Sequence, residues 1–180
     1  MEQFKAWLDA ALASTAWDET LIAFLHSTAL SQWVVNGQWV WPIAETLHFI
    51  GLALLIGIIA PLDARLIGFM PRVPIAALHR LVPWAIGGFA LCLATGLIFF
   101  VGTPEQYVLN ESWWMKILFL AIAGANMLAF ETTQRRRADA LPAGAPTPPA
   151  FKVIGSLSLA SWFLVLYWGR MLPFAVGASF

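Results

Sequence analysis

Glu45 and His48 stand three residues apart inside an apolar run, Trp39 to Pro61, that is long enough to cross a bilayer. That spacing puts both side chains on one face of a helix. Ionisable groups at membrane depth are costly and tend to mark sites for ligands, ions or protons. His48 lies about ten residues into the run, about 15 Å below its outer boundary at 1.5 Å per residue. Its helix face comprises Trp41, Ala44, Glu45, His48, Gly51, Leu52 and Leu55. Gly51 has no side chain, so either a flat group such as a haem plane or a second helix can approach the backbone beside the imidazole. His48 is therefore expected to ligate a metal or redox centre or to make an interhelical hydrogen bond. Glu45 can orient the ring, hold a cation, or pair with Arg170.

Lys116 follows Trp113-Trp114 about one turn inside a second apolar run. It can reach toward a ligand shared with His48 or snorkel outward to water. Asn126, Thr95, Ser158 and Ser161 can bridge helices by hydrogen bonds. His79-Arg80 opens a different run at its opposite end, and His26 precedes the first run. A haem held between His48 and His79 is rejected, because the two sit at depths about 10 Å or more apart. A single cysteine, Cys92, excludes an internal disulfide and every multi-cysteine metal motif. The five methionines are scattered, which weakens the case for a soft copper(I) site. One Glu-x-x-His turn falls short of the two such turns and two further carboxylates that a di-metal carboxylate site needs. No phosphate loop, nucleophile elbow or zinc-protease pattern occurs.

These residues must be carried by membrane helices. The chain is 60% hydrophobic and 11% charged, with a mean hydropathy of +0.75, far from the composition of a soluble domain. A formal net charge of zero gives no reason to expect nucleic acid as a partner. Four spans are expected, at about 38–61, 76–101, 112–133 and 152–172, giving an all-α, polytopic membrane protein with a four-helix transmembrane bundle over 38–175. Pro61 should end the first span, and Pro83 with Gly87-Gly88 should kink the second. The 134–151 connector, with its run of prolines from Leu141 to Ala150, reads as an extended, mobile cytoplasmic loop that tolerates shortening.

Seven of the ten Lys and Arg residues, Arg65, Arg72, Arg80, Arg135, Arg136, Arg137 and Lys152, lie in or beside the 1–2 and 3–4 connections. By the positive-inside rule those connections are cytoplasmic and both termini are periplasmic. Six acidic residues and Trp33, Trp39, Trp41, Trp113, Trp114 and Trp168 fall at the other end, as an outer aromatic belt. Residues 1–37 read as periplasmic-side amphipathic helices on the membrane surface. One carries Leu21, Leu25, Ala29 and Trp33 and is capped by Asp18; a shorter one precedes it at Phe4, Trp7, Leu8 and Leu12. The N-terminus lacks a signal-peptide pattern, so the chain reads as mature from Met1.

At Glu45-Thr-Leu-His48-Phe-Ile-Gly51 with Asp63-Ala-Arg65-Leu-Ile-Gly68, then Pro83-Trp84, Thr95-Gly96, Lys116-Ile-Leu with Asn126, and Gly169-Arg170, the chain resembles an uncharacterised family of bacterial four-helix inner-membrane proteins. The likeness covers most of residues 33–175. Where that family often has a histidine near the end of the third span, this sequence has Phe130-Glu131. More distantly, Leu47-His48 and Trp114-Met-Lys116 are similar to the superfamily of the HemJ-type protoporphyrinogen oxidase and the copper-resistance D protein. That resemblance implies haem b bound through His48 and Lys116. The expected function is an integral inner-membrane haem b protein that carries electrons or serves as a membrane subunit of a redox complex, with Glu45 and Gly51 beside the cofactor. Its partners are the lipid bilayer and a periplasmic or membrane redox protein. The alternatives are copper transport or resistance through Glu45 and His48, and a structural subunit without cofactor.

Overall fold

The structure, a computed structural model, describes residues 17–175 and the isolated Gln3; the helix expected around Phe4, Trp7, Leu8 and Leu12 lies outside the described residues. In chain order the helices are α1 (Trp17–Ser27), α2 (Ala29–Asn36), α3 (Val40–Ile67), α4 (Ile75–His79), α5 (Val82–Gly102), α6 (Glu105–Val108), α7 (Glu111–Thr133), α8 (Arg135–Asp139) and α9 (Pro149–Ala175). No strand occurs among the described residues. Four stretches are long and apolar enough to cross a membrane: Val40–Ile67, Ile75–Gly102, Glu111–Thr133 and Pro149–Phe174. The chain is an all-α, multi-pass membrane protein.

Both proline expectations need correction. The first span does not stop at Pro61, which lies inside α3. Membrane helices tolerate an internal proline because neighbouring groups satisfy the freed backbone. What ends α3 is Gly68 at φ 118°, whose N–H reaches Arg65 O (3.2 Å) while Phe69 N–H reaches Ala64 O (2.9 Å). That is a Schellman closure, which favours a residue without a side chain at the left-handed position. Pro83 does not kink a continuous second span; the helix is broken at Arg80-Leu81, and Pro83 sits in the first turn of α5. Proline has no N–H to give to the carbonyl of His79, four residues back, so α4 ends there and α5 starts afresh.

Helix α3 packs on α5 and on α9, and α9 packs on α7, whereas α5 and α7 share little contact. Lipid gives no hydrophobic drive between helices, so close fit must hold them. Gly51 and Gly88 supply that fit between α3 and α5: a Cβ on Gly51 would lie 2.8 Å from Gly88 O, and one on Gly88 would lie 2.7 Å from Gly51 O. Gly155 does the same between α9 and α3, at 2.8 Å from Asp63 O. Asn126 Nδ2 donates to Ile154 O (3.1 Å) and so bridges α7 to α9, as its type led us to expect. Ser161 instead bonds Leu157 O in its own helix.

The main apolar core lies at the arginine-rich end, where Leu62, Leu66, Ile75, Val82, Phe130, Ala138 and Phe151 are buried together. The proline-rich connector is part of that end rather than a free linker. Thr147 is buried and its hydroxyl accepts from Arg65 Nη1 (2.9 Å); Gly144 N–H donates to Pro71 O (2.8 Å). Prolines lower the entropy lost on docking, so the composition that suggests a spacer also suits a strap.

The surface segment is two helices, split at Thr28. Its hydroxyl accepts from Ser31 N (3.2 Å) and starts α2 anew. The break turns the expected stripe: Leu21 and Leu25 are half-buried, but Ala29 and Trp33 are exposed, and Ser31 and Val34 face the bundle instead. Val34 rests on Gly102, where a Cβ would come within 2.7 Å of it. Asp18 falls inside α1, which already begins at Trp17, so it does not stand before the first helical residue.

Candidate functional site

The tryptophan-rich end of the bundle is open, although Phe100 of α5 stacks on Trp113 of α7 there, with centroids 5.7 Å apart. It holds a cavity of about 740 Å³ lined by residues of α3, α5, α6, α7 and α9. That volume falls in the roughly 300–1,000 Å³ range of ligand pockets. Its walls are aromatic and apolar, with Trp41, Phe49, Phe99, Tyr107 and Trp113, and its polar groups are Glu45, His48, Gln106, Lys116 and Arg170. Lys116, distant in sequence from His48 and Glu45, thus meets them in one space.

The His48 face divides. Trp41, Glu45, His48 and Leu52 line the cavity, whereas Ala44, Gly51 and Leu55 are buried. At 3.6 residues per turn these last three are rotated by about 20–60° from His48, and Gly51 is turned toward α5. Gly51 therefore does not offer a notch to a cofactor; its missing side chain admits Gly88 and Cys92. The Cys92 thiol also lies 3.5 Å from His48 O, a further tie between the two helices.

His48 Nδ1 lies 2.7 Å from Thr95 Oγ1. The Thr95 hydroxyl has one proton and lies 2.8 Å from Leu91 O, the usual partner of a helical threonine. The ring then supplies the proton of the His48–Thr95 bond, a tautomer assigned from this network. Nε2 keeps its lone pair and has no hydrogen bond among the described residues, while Phe99 meets the ring edge-on with centroids 5.6 Å apart. A ring held at Nδ1 and free at Nε2 is how metal-binding histidines are oriented. The orienting group is Thr95, not Glu45.

Glu45 is exposed at the cavity wall and forms no ion pair with Arg170 or any other group among the described residues. Arg170 instead lies over the Phe174 ring, 4.9 Å from its centroid. Lys116 is half-buried, with Nζ 5.8 Å from the Trp113 ring centroid and its stem along Gly169. It too has no carboxylate partner among the described residues. Two cations and one carboxylate, none in an ion pair among the described residues, line the cavity. Such a lining suits an apolar ligand that carries anionic groups.

Several lining residues escaped the sequence reading. Tyr107 packs tilted against Phe100 and edge-on against Trp113, at centroid distances of 5.9 and 5.1 Å. Burial pushes its phenol up to about 12, so it stays neutral in the cavity wall. His26 Nε2 lies 3.0 Å from Glu105 Oε2, which ties α1 to the short helix that carries Tyr107. The one available signal was position: Gln106 and Tyr107 sit in the connection that precedes Lys116.

His79 is at the other end of the molecule, as its place in the sequence requires. Its Nε2 lies 2.6 Å from Glu131 Oε1 and its Nδ1 3.1 Å from Asp139 Oδ1, so it takes no part in the cavity. Among the described residues no group of three or more His, Cys, Asp or Glu side chains is placed to hold a metal ion. Comparison with family models, curated proteins and solved structures yields no match.

Proposed function

We propose that this is a multi-pass protein of the bacterial inner membrane that binds a b-type haem in the tryptophan-end cavity, with His48 Nε2 as axial ligand and Lys116 as second ligand or partner of a haem carboxylate. The observation that carries this reading is one imidazole nitrogen left free by the Thr95 bond, in a cavity of about 740 Å³. Lys116 and Arg170 supply the unpaired cations that anionic substituents require. Haem bound there would supply one-electron chemistry. The protein's part would be to hold the iron through His48, to exclude water with Trp41, Phe99 and Trp113, and to set ring basicity through the Nδ1 bond. The chain would pass electrons to a periplasmic or membrane partner, alone or as a subunit of a redox complex.

The arginine-rich end belongs in the cytoplasm by the positive-inside rule, so the cavity opens toward the periplasm and both termini lie there. Labelling in intact cells of a cysteine placed at Arg136, which is exposed, checks this. Modification by an impermeant outside reagent overturns it. For copper, the described lining of the same cavity offers an imidazole and one carboxylate, His48 and Glu45, and copper transport stays the second reading.

Absorption spectroscopy of protein purified from haem-supplied cells tests the reading. Wild type should show a Soret band, His48→Ala should lose it while still inserting, and Lys116→Ala should weaken or shift it. Thr95→Val should lower haem affinity by about 10–100-fold, as loss of an outer-shell bond does elsewhere. Wild type without a Soret band, or His48→Ala that keeps one, removes the haem assignment and leaves copper binding or a structural role to be measured.

A further inference from the structure

Asp63 belongs to the Asp63-Ala-Arg65 segment, to which the cavity reading gives no role. It lies within the spanning part of α3, only 4% exposed, and its Oδ2 has no hydrogen-bond partner among the described residues. A carboxylate in that position is expensive unless its charge is cancelled. Ser158 of α9 hydrogen-bonds the carboxyl, and with it Asn126 and Glu131 from α7 line a small cavity of about 30 Å³ beside Asp63. From α5 that cavity receives only Val82, so no charged group approaches from that side. The volume exceeds the roughly 10–15 Å³ that one water needs, and these groups give it partners.

Glu131 leads onward. Its Oε1 is 2.6 Å from His79 Nε2, and His79 Nδ1 is 3.1 Å from Asp139 Oδ1. His79 is buried, whereas the Asp139 side chain is 31% exposed at the arginine-rich surface. Arg135 flanks both carboxylates, 3.2 Å from Glu131 Oε2 and 3.8 Å from Asp139 Oδ2. An imidazole between two carboxylates can take a proton at one nitrogen and release one from the other. The elements that hold this row, α4, α7 and α8, are joined by it.

We propose that Asp139, His79 and Glu131 form a proton-conducting row that loads and unloads Asp63, making Asp63 a reversible proton-binding site inside the bundle. The proton leaves solvent at Asp139, passes through the His79 ring to Glu131, and crosses the small cavity to Asp63 Oδ2. There an O–H bond forms and the carboxylate becomes a neutral acid. The reverse path returns the proton, and no electron moves. This inference does not depend on the haem reading, since none of these groups lines the large cavity.

Infrared spectroscopy of the full chain in lipid nanodiscs, with aspartate carboxyl carbons isotopically labelled, tests it. Wild type should show a label-shifted protonated-carboxyl band that responds to bulk pH and shifts after mixing with deuterated water. Asp63→Asn should remove that band; if this variant fails to fold, the isotope shift in wild type still assigns it to an aspartate. Glu131→Gln keeps a hydrogen-bonding side chain toward His79, and with His79→Ala it should slow the deuterium shift at least tenfold in folded protein. No aspartate band at any pH, or equal exchange rates in wild type and both variants, would overturn the proposal. So would a band abolished by sodium chloride but not by choline chloride, which would make sodium the resident ion.

Discussion

The two ends of the bundle are built in opposite ways. At the arginine-rich end Arg65 is fully buried and donates to Val73 O (2.7 Å) and Thr147 (2.9 Å), the proline-rich strap is bonded to the α3–α4 turn, and His79 is held between two carboxylates. At the tryptophan-rich end Glu45, Lys116 and Arg170 surround a cavity with no ion pair among them. Buried hydrogen bonds hold the first end in one arrangement, even though Arg65 Nη2 and Asp63 Oδ2 stay without a partner there, whereas charges unpaired around a space leave room for a ligand. The difference separates where the molecule is fastened from where, on the proposed reading, it binds, and substitutions at each end should behave accordingly.

The largest effect is expected midway, where the ends are joined. Gly51→Leu would drive a side chain into Gly88 O and Cys92 Sγ, each 2.8 Å from the new Cβ. Backbone cannot swing aside as a side chain can, so overpacking should destabilise by about 3 kcal/mol. Gly57→Leu in the same helix meets nothing within 4 Å and should change stability by less than about 0.5 kcal/mol. Thermal unfolding in detergent, followed by circular dichroism, compares them. Equal melting points would mean that the α3–α5 approach does not hold the bundle.

At the fastened end, Arg65→Gln removes bonds to Val73 O and Thr147 and leaves both partners buried. Hydrogen bonds from a charged donor contribute about 1.5–3 kcal/mol each, offset here because Nη2 has no partner to lose. A net loss of about 2 kcal/mol is expected, with the strap becoming open to proteolysis between Leu141 and Pro149. Protection unchanged from wild type would show that the strap docks without Arg65. Thr147→Val tests the same contact from the other side: it keeps the shape and deletes one bond, for a loss of about 1 kcal/mol. Were deletion of residues 142–147 to leave the melting point unchanged, the strap would be the spacer that its composition suggests.

These contrasts also mark what could be read from the chain alone. The four spans follow from hydropathy, and the grouping of Arg65, Arg72, Arg80 and Arg135–Arg137 at one end follows from their places in the connections. That His48 lies at membrane depth is legible for the same reason. Its bond to Thr95 is not, because 47 residues separate them and periodicity within one helix does not say which neighbour a face meets. Gly51 was ambiguous on the same ground: absence of a side chain admits a cofactor or a helix equally, and only the position of Gly88 decides. Proline content misled at Pro61, at Pro83 and in the connector. A proline limits the backbone locally, but whether Pro61 ends a helix or Thr147's neighbours form a strap depends on what packs against them.

The smallest change has the opposite sign. Lys116 is half-buried in the cavity wall and forms no ion pair among the described residues, so without a ligand its ammonium is poorly compensated. Lys116→Met keeps most of the stem that packs along Gly169 and removes the charge. Replacing an unpaired, partly buried charge with an apolar side chain of similar length should raise the stability of the ligand-free protein by about 0.5 kcal/mol, while the Soret band weakens or shifts. Binding sites commonly show this trade, because groups arranged for a ligand are strained or unsatisfied without it. If Lys116→Met melts lower than wild type by as much as Thr147→Val does, Lys116 is a fastening residue like Arg65. The two ends would then be built on the same plan.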